Sequence, residues 1–126
     1  MSMNNETAYV MSAIRSARRS LRWRAGKADE HLAKRIRLGH PLRGSGLVEY
    51  EALIHRVLSE PSAEVYLFTF RENVYPTVVA TVANAVWLVM LDISGGMETA
   101  FLVEQPQDYF ADPRFERLGL LQELEQ

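Results

Sequence analysis

Apolar residues recur along the first stretch of the chain at spacings of four, three and four: Val10, Ile14, Ala17 and Leu21. At 3.6 residues per turn these positions form one stripe, which predicts an amphipathic helix from Glu6 to about Arg24, with Asn4 or Asn5 to cap its start and Gly26 to end it. A second helix is expected from about Ala28 to Leu38, where Leu32 and Ile36 fall one turn apart on the buried side. Gly39, His40 and Pro41 stop it, because glycine accepts a left-handed terminus and proline cannot continue the turn. After a loop from His40 to Gly46, a third helix is expected from about Leu47 to Ser59. Tyr50, Leu53, Ile54, Val57 and Leu58 make its apolar face, Glu49, Glu51, His55 and Arg56 stay wet, and Pro61 closes it.

Beyond Pro61 the pattern changes to short runs rich in β-branched and aromatic residues between turn formers, the mark of sequential strands. Strands are expected at about Glu64–Arg71, Thr77–Ala83, Val86–Ile93 and Glu98–Val103. In the first, Tyr66, Phe68 and Phe70 share one face and Val65, Leu67, Thr69 and Arg71 the other. Ser94, Gly95 and Gly96 predict a tight hairpin, and Asn84 marks another short connection. The segment Pro106–Asp112 fits one helical turn that tucks Tyr109 and Phe110 against the sheet. Pro113 then opens a last helix with Phe115, Leu118, Leu121 and Leu124 as its apolar side. The expected fold is α+β: N-terminal helices packed on a four-stranded antiparallel β-meander, with a C-terminal helix. With 126 residues, nearly half of them apolar, the chain reads as a single domain, 1–126, made of a basic helical part (6–60), the meander (64–103) and a C-terminal helical segment (106–124).

Composition narrows the chemistry. There is no cysteine, which excludes a disulfide framework, a thiolate metal site and a thiol nucleophile. The longest apolar run, Val78–Ile93, is broken by Thr81 and Asn84 and reads as two strands rather than a membrane span, and Met1–Glu6 has no apolar signal core. A cytoplasmic protein with no membrane association is the expectation. The net charge of −2 hides a polarity along the chain. Residues 1–60 carry eleven basic against six acidic side chains, a net of +5, whereas residues 61–126 carry three against ten, a net of −7. Such polarity suits either a polyanion on the basic side or a protein partner that matches the two poles.

Only three histidines exist, and neither they nor the scattered carboxylates have metal-ligand spacing, so neither a metal nor any other cofactor is expected. The Gly44-Ser45-Gly46 triplet lacks the lysine and spacing of a P-loop and reads as a flexible connection. Cleavage of RNA through the ribose 2′-hydroxyl needs only a base, an acid and cations. His31, with Lys34 and Arg35 three and four residues on, supplies such a set on one helix flank, although for His31 taken alone a solvated face with a partly packed histidine is the favoured explanation. His40, at a helix C-terminus, suits a general acid or a plain cap. His55 faces away from its apolar stripe and is expected to be exposed and inert. Thr99 on the last strand and Arg71 at the end of the first offer a hydroxyl and a guanidinium to a phosphate, or are ordinary strand residues. Arg15, Arg18, Arg19 and Arg22 form a ridge that suits a phosphate backbone, with Trp23 placed to stack on a base, or else a solvated basic face or a surface for an acidic protein. The stripe beneath that ridge suits a helix-mediated homodimer or a contact with the sheet.

A helix carrying "KADEHLAKR", a helix ending in "RVLSEP", and the strands "EVYLFTFR", "TVVATVA", "VWLVMLDI" and "METAFLV" follow one another over roughly residues 28 to 103. In this order they resemble the layout of the RelE/BrnT and barnase/EndoU/colicin-type ribonuclease superfamily, which includes phage-associated and contact-dependent toxins. The resemblance implies that His31 is the base or acid, that Lys34 or Arg35 neutralises the phosphate and that Thr99 supplies a hydroxyl. The expected function is a small metal-independent ribonuclease-like domain, a toxin of bacterial or phage origin, with His31, Arg35, His40 and Thr99 as catalytic residues and RNA held by Arg15, Arg18, Arg19, Arg22, Lys34 and Arg71. The alternative is a non-enzymatic module, an immunity, antitoxin or phage accessory protein, that binds a cognate protein through its charge-polarised surface. Arg71 is the only basic residue between positions 61 and 113, and this acidity favours the alternative.

Overall fold

A computed structural model describes residues 5–23, 30, 31, 33, 34 and 46–125. Helix α1 spans Asn5–Arg19, and its stripe of Val10, Ile14 and Ala17, joined by Met11 and Ala13, is buried. The helix ends earlier than its apolar spacing predicts. Residues 20–23 run irregularly beside the sheet, where the Arg22 carbonyl accepts a hydrogen bond from the Met97 N–H at 2.8 Å. Leu21 therefore reaches the core from a loop rather than from the helix. Of the expected second helix, Glu30, His31, Ala33 and Lys34 are helical, while Leu32, Arg35, Ile36 and the His40–Ser45 loop lie outside the described residues. Helix α2, Leu47–Ser59, buries Tyr50, Ile54, Val57 and Leu58 against α1 and the sheet. Removing each of these side chains from water contributes about 1.5–3 kcal/mol.

The strands are β1 (Glu64–Phe70), β2 (Asn73–Val82), β3 (Ala85–Leu91) and β4 (Met97–Leu102), paired antiparallel as a meander. A fifth strand, β5 (Phe115–Leu120), corrects the four-stranded expectation; it pairs antiparallel with β1, so the sheet order is β4-β3-β2-β1-β5. The turn α3 (Pro106–Tyr109) is present as expected, but only Leu121–Leu124 (α4) of the anticipated last helix is helical. The leucine spacing that suggested a helix has another origin. Between Val65↔Gly119 and Tyr66↔Arg117 the ladder carries a bulge, with Gly119 at φ 143°, a backbone conformation that side chains rarely adopt. Phe115 and Leu118, three apart on a strand whose side chains alternate, serve two different cores.

The sheet is covered on both faces. Its inner face, with Val65, Leu67, Val78, Ala80, Trp87, Val89 and Leu91, packs under α1 and α2. The outer face carries Leu88 and Met90 beneath the rings of Phe68, Tyr75, Phe101, Phe110 and Phe115. Because β4 and β5 occupy opposite edges, residues 103–114 must cross this outer face. Phe110 stacks on Tyr66 (4.9 Å, 15°) and Tyr109 meets Phe101 edge-on as they do so. At the β3–β4 hairpin, Gly95 has φ 93°, and a Cβ there would lie 2.8 Å from the Ala13 carbonyl oxygen. Glycine is thus required both for the turn and for its approach to α1.

Candidate functional site at the edge of the sheet

Among the described residues strand β4 has one ladder partner, β3, and the N–H of its first residue, Met97, bonds the chain segment that follows α1. The ladder pairs Met90 with Thr99 but Leu91 with Met97, so Glu98 is the extra residue of a bulge immediately before Thr99. A bulge bends the strand and re-aims its side chains. Here the Thr99 Oγ1 lies 3.3 Å from the His31 Nδ1. The two residues are separated by 68 positions and by the change from the basic half to the acidic half of the chain. Both are half-buried.

The imidazole is flanked by Trp23, with ring centroids 5.6 Å apart and planes inclined at 37°. Trp23 is itself placed by α2. Its Nε1–H donates to the Glu51 Oε2 at 2.9 Å, and its ring lies 6.0 Å from that of Tyr50. The buried Tyr50 hydroxyl donates to the Ala100 carbonyl at 2.6 Å, fixing the backbone next to Thr99. An imidazole beside a hydroxyl has two states of exchange. With Nδ1 unprotonated the threonine O–H donates to it, and with Nδ1 protonated the threonine oxygen accepts.

The remaining expected site residues that are described occupy different elements. Lys34 is exposed on the same short helical segment as His31, while Arg35 and His40 lie outside the described residues. The four arginines of the expected ridge differ in their partners. Arg15 and Arg19 are exposed on α1, but the Arg18 Nε–H donates to the Leu58 carbonyl at 2.7 Å and its guanidinium pairs with Glu125, whose carboxyl it holds below the usual range. Arg22 lies beyond the helix end and donates to the Ser94 carbonyl at 2.6 Å and the Ser16 hydroxyl at 3.2 Å. Arg71 occupies the β1–β2 turn at φ 58°, its guanidinium 5.2 Å from the centre of the Phe70 ring. His55 is exposed as expected, and its Nε2 bonds the Arg18 carbonyl at 3.0 Å, in the last turn of α1.

Carboxylates border the site. A cleft of about 420 Å³ is lined by Glu72, Tyr75, Asp92, Ile93 and Glu98, the last adjacent to Thr99. Burial pushes the Asp92 carboxyl up, but the Ser94 hydroxyl, the Gly96 and Ser94 N–H groups and nearby Arg22 hold it below its ordinary range. Among the described residues no set of three or more His, Asp and Glu side chains comes together to hold a metal, and no helix is long and apolar enough to cross a membrane. A second, larger recess of about 600 Å³ lies on the outer face towards the β5 edge, between Phe68, Tyr109, Phe115 and the Asp112–Arg114 pair, away from Thr99. Sequence reasoning missed the roles of Glu51 and Tyr50. The one available signal was polar atoms on aromatic rings, since a tyrosine hydroxyl or indole N–H that enters a core requires a partner.

The fold and this edge define an α+β protein with a five-stranded antiparallel sheet and an imidazole–hydroxyl pair at one margin. No family model, no curated protein and no solved structure matches the chain.

Proposed function

We propose that the chain is a small metal-independent ribonuclease-like domain in which His31 and Thr99 form the reacting pair. The observation that carries this reading is their 3.3 Å approach across the charge divide of the chain. In this mechanism the imidazole removes the proton from a ribose 2′-hydroxyl, whose oxygen attacks the adjacent phosphorus as the bond to the 5′-oxygen breaks. The departing oxygen takes a proton from an acid, for which His40 is the candidate, and a cyclic phosphate remains. Thr99 orients the imidazole and donates to a phosphate oxygen, while Lys34 and Arg35 balance the charge that develops there. His31→Ala should abolish cleavage of a mixed RNA pool and relieve growth arrest on expression, and Thr99→Val should slow cleavage by about a hundredfold, within the range for one positioned group. Intact RNA and healthy cells after exposure to the unaltered protein would remove this reading.

A second reading, a non-enzymatic module for a cognate protein such as an immunity, antitoxin or phage accessory protein, is favoured by a different observation. Arg18 and Arg22 are spent on internal bonds, and the cleft next to Thr99 is lined by carboxylates that repel a polyanion. Under this reading a basic protein docks on that cleft, and charge reversal at Glu72 and Glu98 weakens its capture while His31→Ala does not.

A further inference from the structure

We infer that Trp23 is a positioning residue for His31, fixed in turn by Glu51, an inference that rests on the imidazole–hydroxyl reading above. Residues 20–23 belong to no helix or strand, and the Arg22 carbonyl, accepting from the Met97 N–H at 2.8 Å, ties their backbone to the edge of β4 without fixing the rotamer of the Trp23 side chain. Two contacts from α2 set its direction: the Glu51 carboxylate accepts the indole N–H at 2.9 Å, and the Tyr50 ring backs the indole at 6.0 Å. The indole then flanks the imidazole at 5.6 Å. The neighbouring residue on α2 controls the other half of the pair, because the Tyr50 hydroxyl holds the Ala100 carbonyl at 2.6 Å, one residue from Thr99. Adjacent residues of one rigid helix therefore locate the imidazole, through Trp23, and the hydroxyl, through the β4 backbone. Such support from packed neighbours is what holds a reacting pair within a fraction of an ångström of its working geometry. An indole suits the task because it is rigid and offers one N–H by which it can be anchored.

The test uses the full chain and reads the imidazole nitrogens by NMR, with His31→Ala assigning the His31 signals. Glu51→Ala and Trp23→Leu should move those signals towards the averaged tautomers of a free histidine, whereas Glu51→Gln, which keeps an acceptor oxygen, should restore the original pattern. In RNA cleavage, Glu51→Ala should lower kcat by about tenfold and leave KM unchanged, a loss of orientation rather than of binding, and Glu51→Gln should recover most of it. Unaltered His31 signals in folded Glu51→Ala and Trp23→Leu proteins would overturn the inference. If Trp23→Leu does not fold, Glu51→Ala decides alone, because Glu51 is half-buried and outside the apolar core. If the unaltered protein cleaves no RNA, the nucleolytic reading falls, and the nitrogen signals still decide whether Trp23 places His31.

Discussion

Arg18 and Arg22 stand one helical turn apart in the sequence, yet they do different work. Arg18 joins the end of α2 to α4, and Arg22 closes over the β3–β4 hairpin beside Asp92. Arg114 illustrates how local such work can be. Two residues from Asp112, it grips that carboxylate through Nε and Nη2 and lies 5.3 Å from the Phe68 ring centre. These charge-assisted bonds hold the Asp112 carboxyl down to about 2. Its folded value lies below its unfolded one, so the contribution of the pair is present above the ordinary carboxylate range and is lost as pH falls through about 2. We expect a side-chain NMR titration of Asp112 to have its midpoint near that value and to return towards the ordinary aspartate range in Arg114→Ala. A midpoint that does not move would mean the guanidinium is not its cause. Neither arginine's partner was legible in the linear order, since Leu58 and Ser94 are brought up by packing.

The elements themselves follow local rules more closely. α1 and α2 formed where apolar spacing matched a helix turn, and the four strands of the meander formed where β-branched residues alternated between turn formers. The β2–β3 hairpin turns on Ala83 and Asn84, both at positive φ (51° and 65°), the conformation of a two-residue turn in which alanine is strained. Ala83→Asn or Ala83→Gly should therefore stabilise the fold by about 0.5–1 kcal/mol, measured by denaturant unfolding, and Ala83→Val should destabilise it. The element that local rules misread was β5. Phe115, Leu118, Leu121 and Leu124 carry a helical spacing, but the outer edge of β1 offers a row of backbone groups that a helix cannot pair. Pairing with that edge overrode the spacing, with Gly119 absorbing the mismatch as a bulge.

On the scale of the whole molecule, the charge division along the chain becomes a set of internal ties. Arg18 links the basic half to the last residues of the acidic half, and its removal leaves the Leu58 carbonyl without that donor. Arg18→Ala should cost about 1–2 kcal/mol of unfolding free energy, most of it unaffected by added salt because the carbonyl bond rather than the solvent-screened Glu125 pair carries it. A loss that disappears in high salt would assign the effect to the ion pair instead. The sequence by itself determined the α+β class, the boundaries of α2, β1, β3 and β4 to within two residues, and the residue types that supply an imidazole and a hydroxyl, because those depend on periodicity and side-chain chemistry within a few residues. Only the tertiary structure decided that a fifth strand extends the sheet beyond β1, that Arg18 and Arg22 bond within the molecule, and that His31 meets Thr99 beside Trp23, which α2 contacts. Each of those outcomes joins groups far apart in the chain, and the energy that selects them arises only when distant surfaces are packed together.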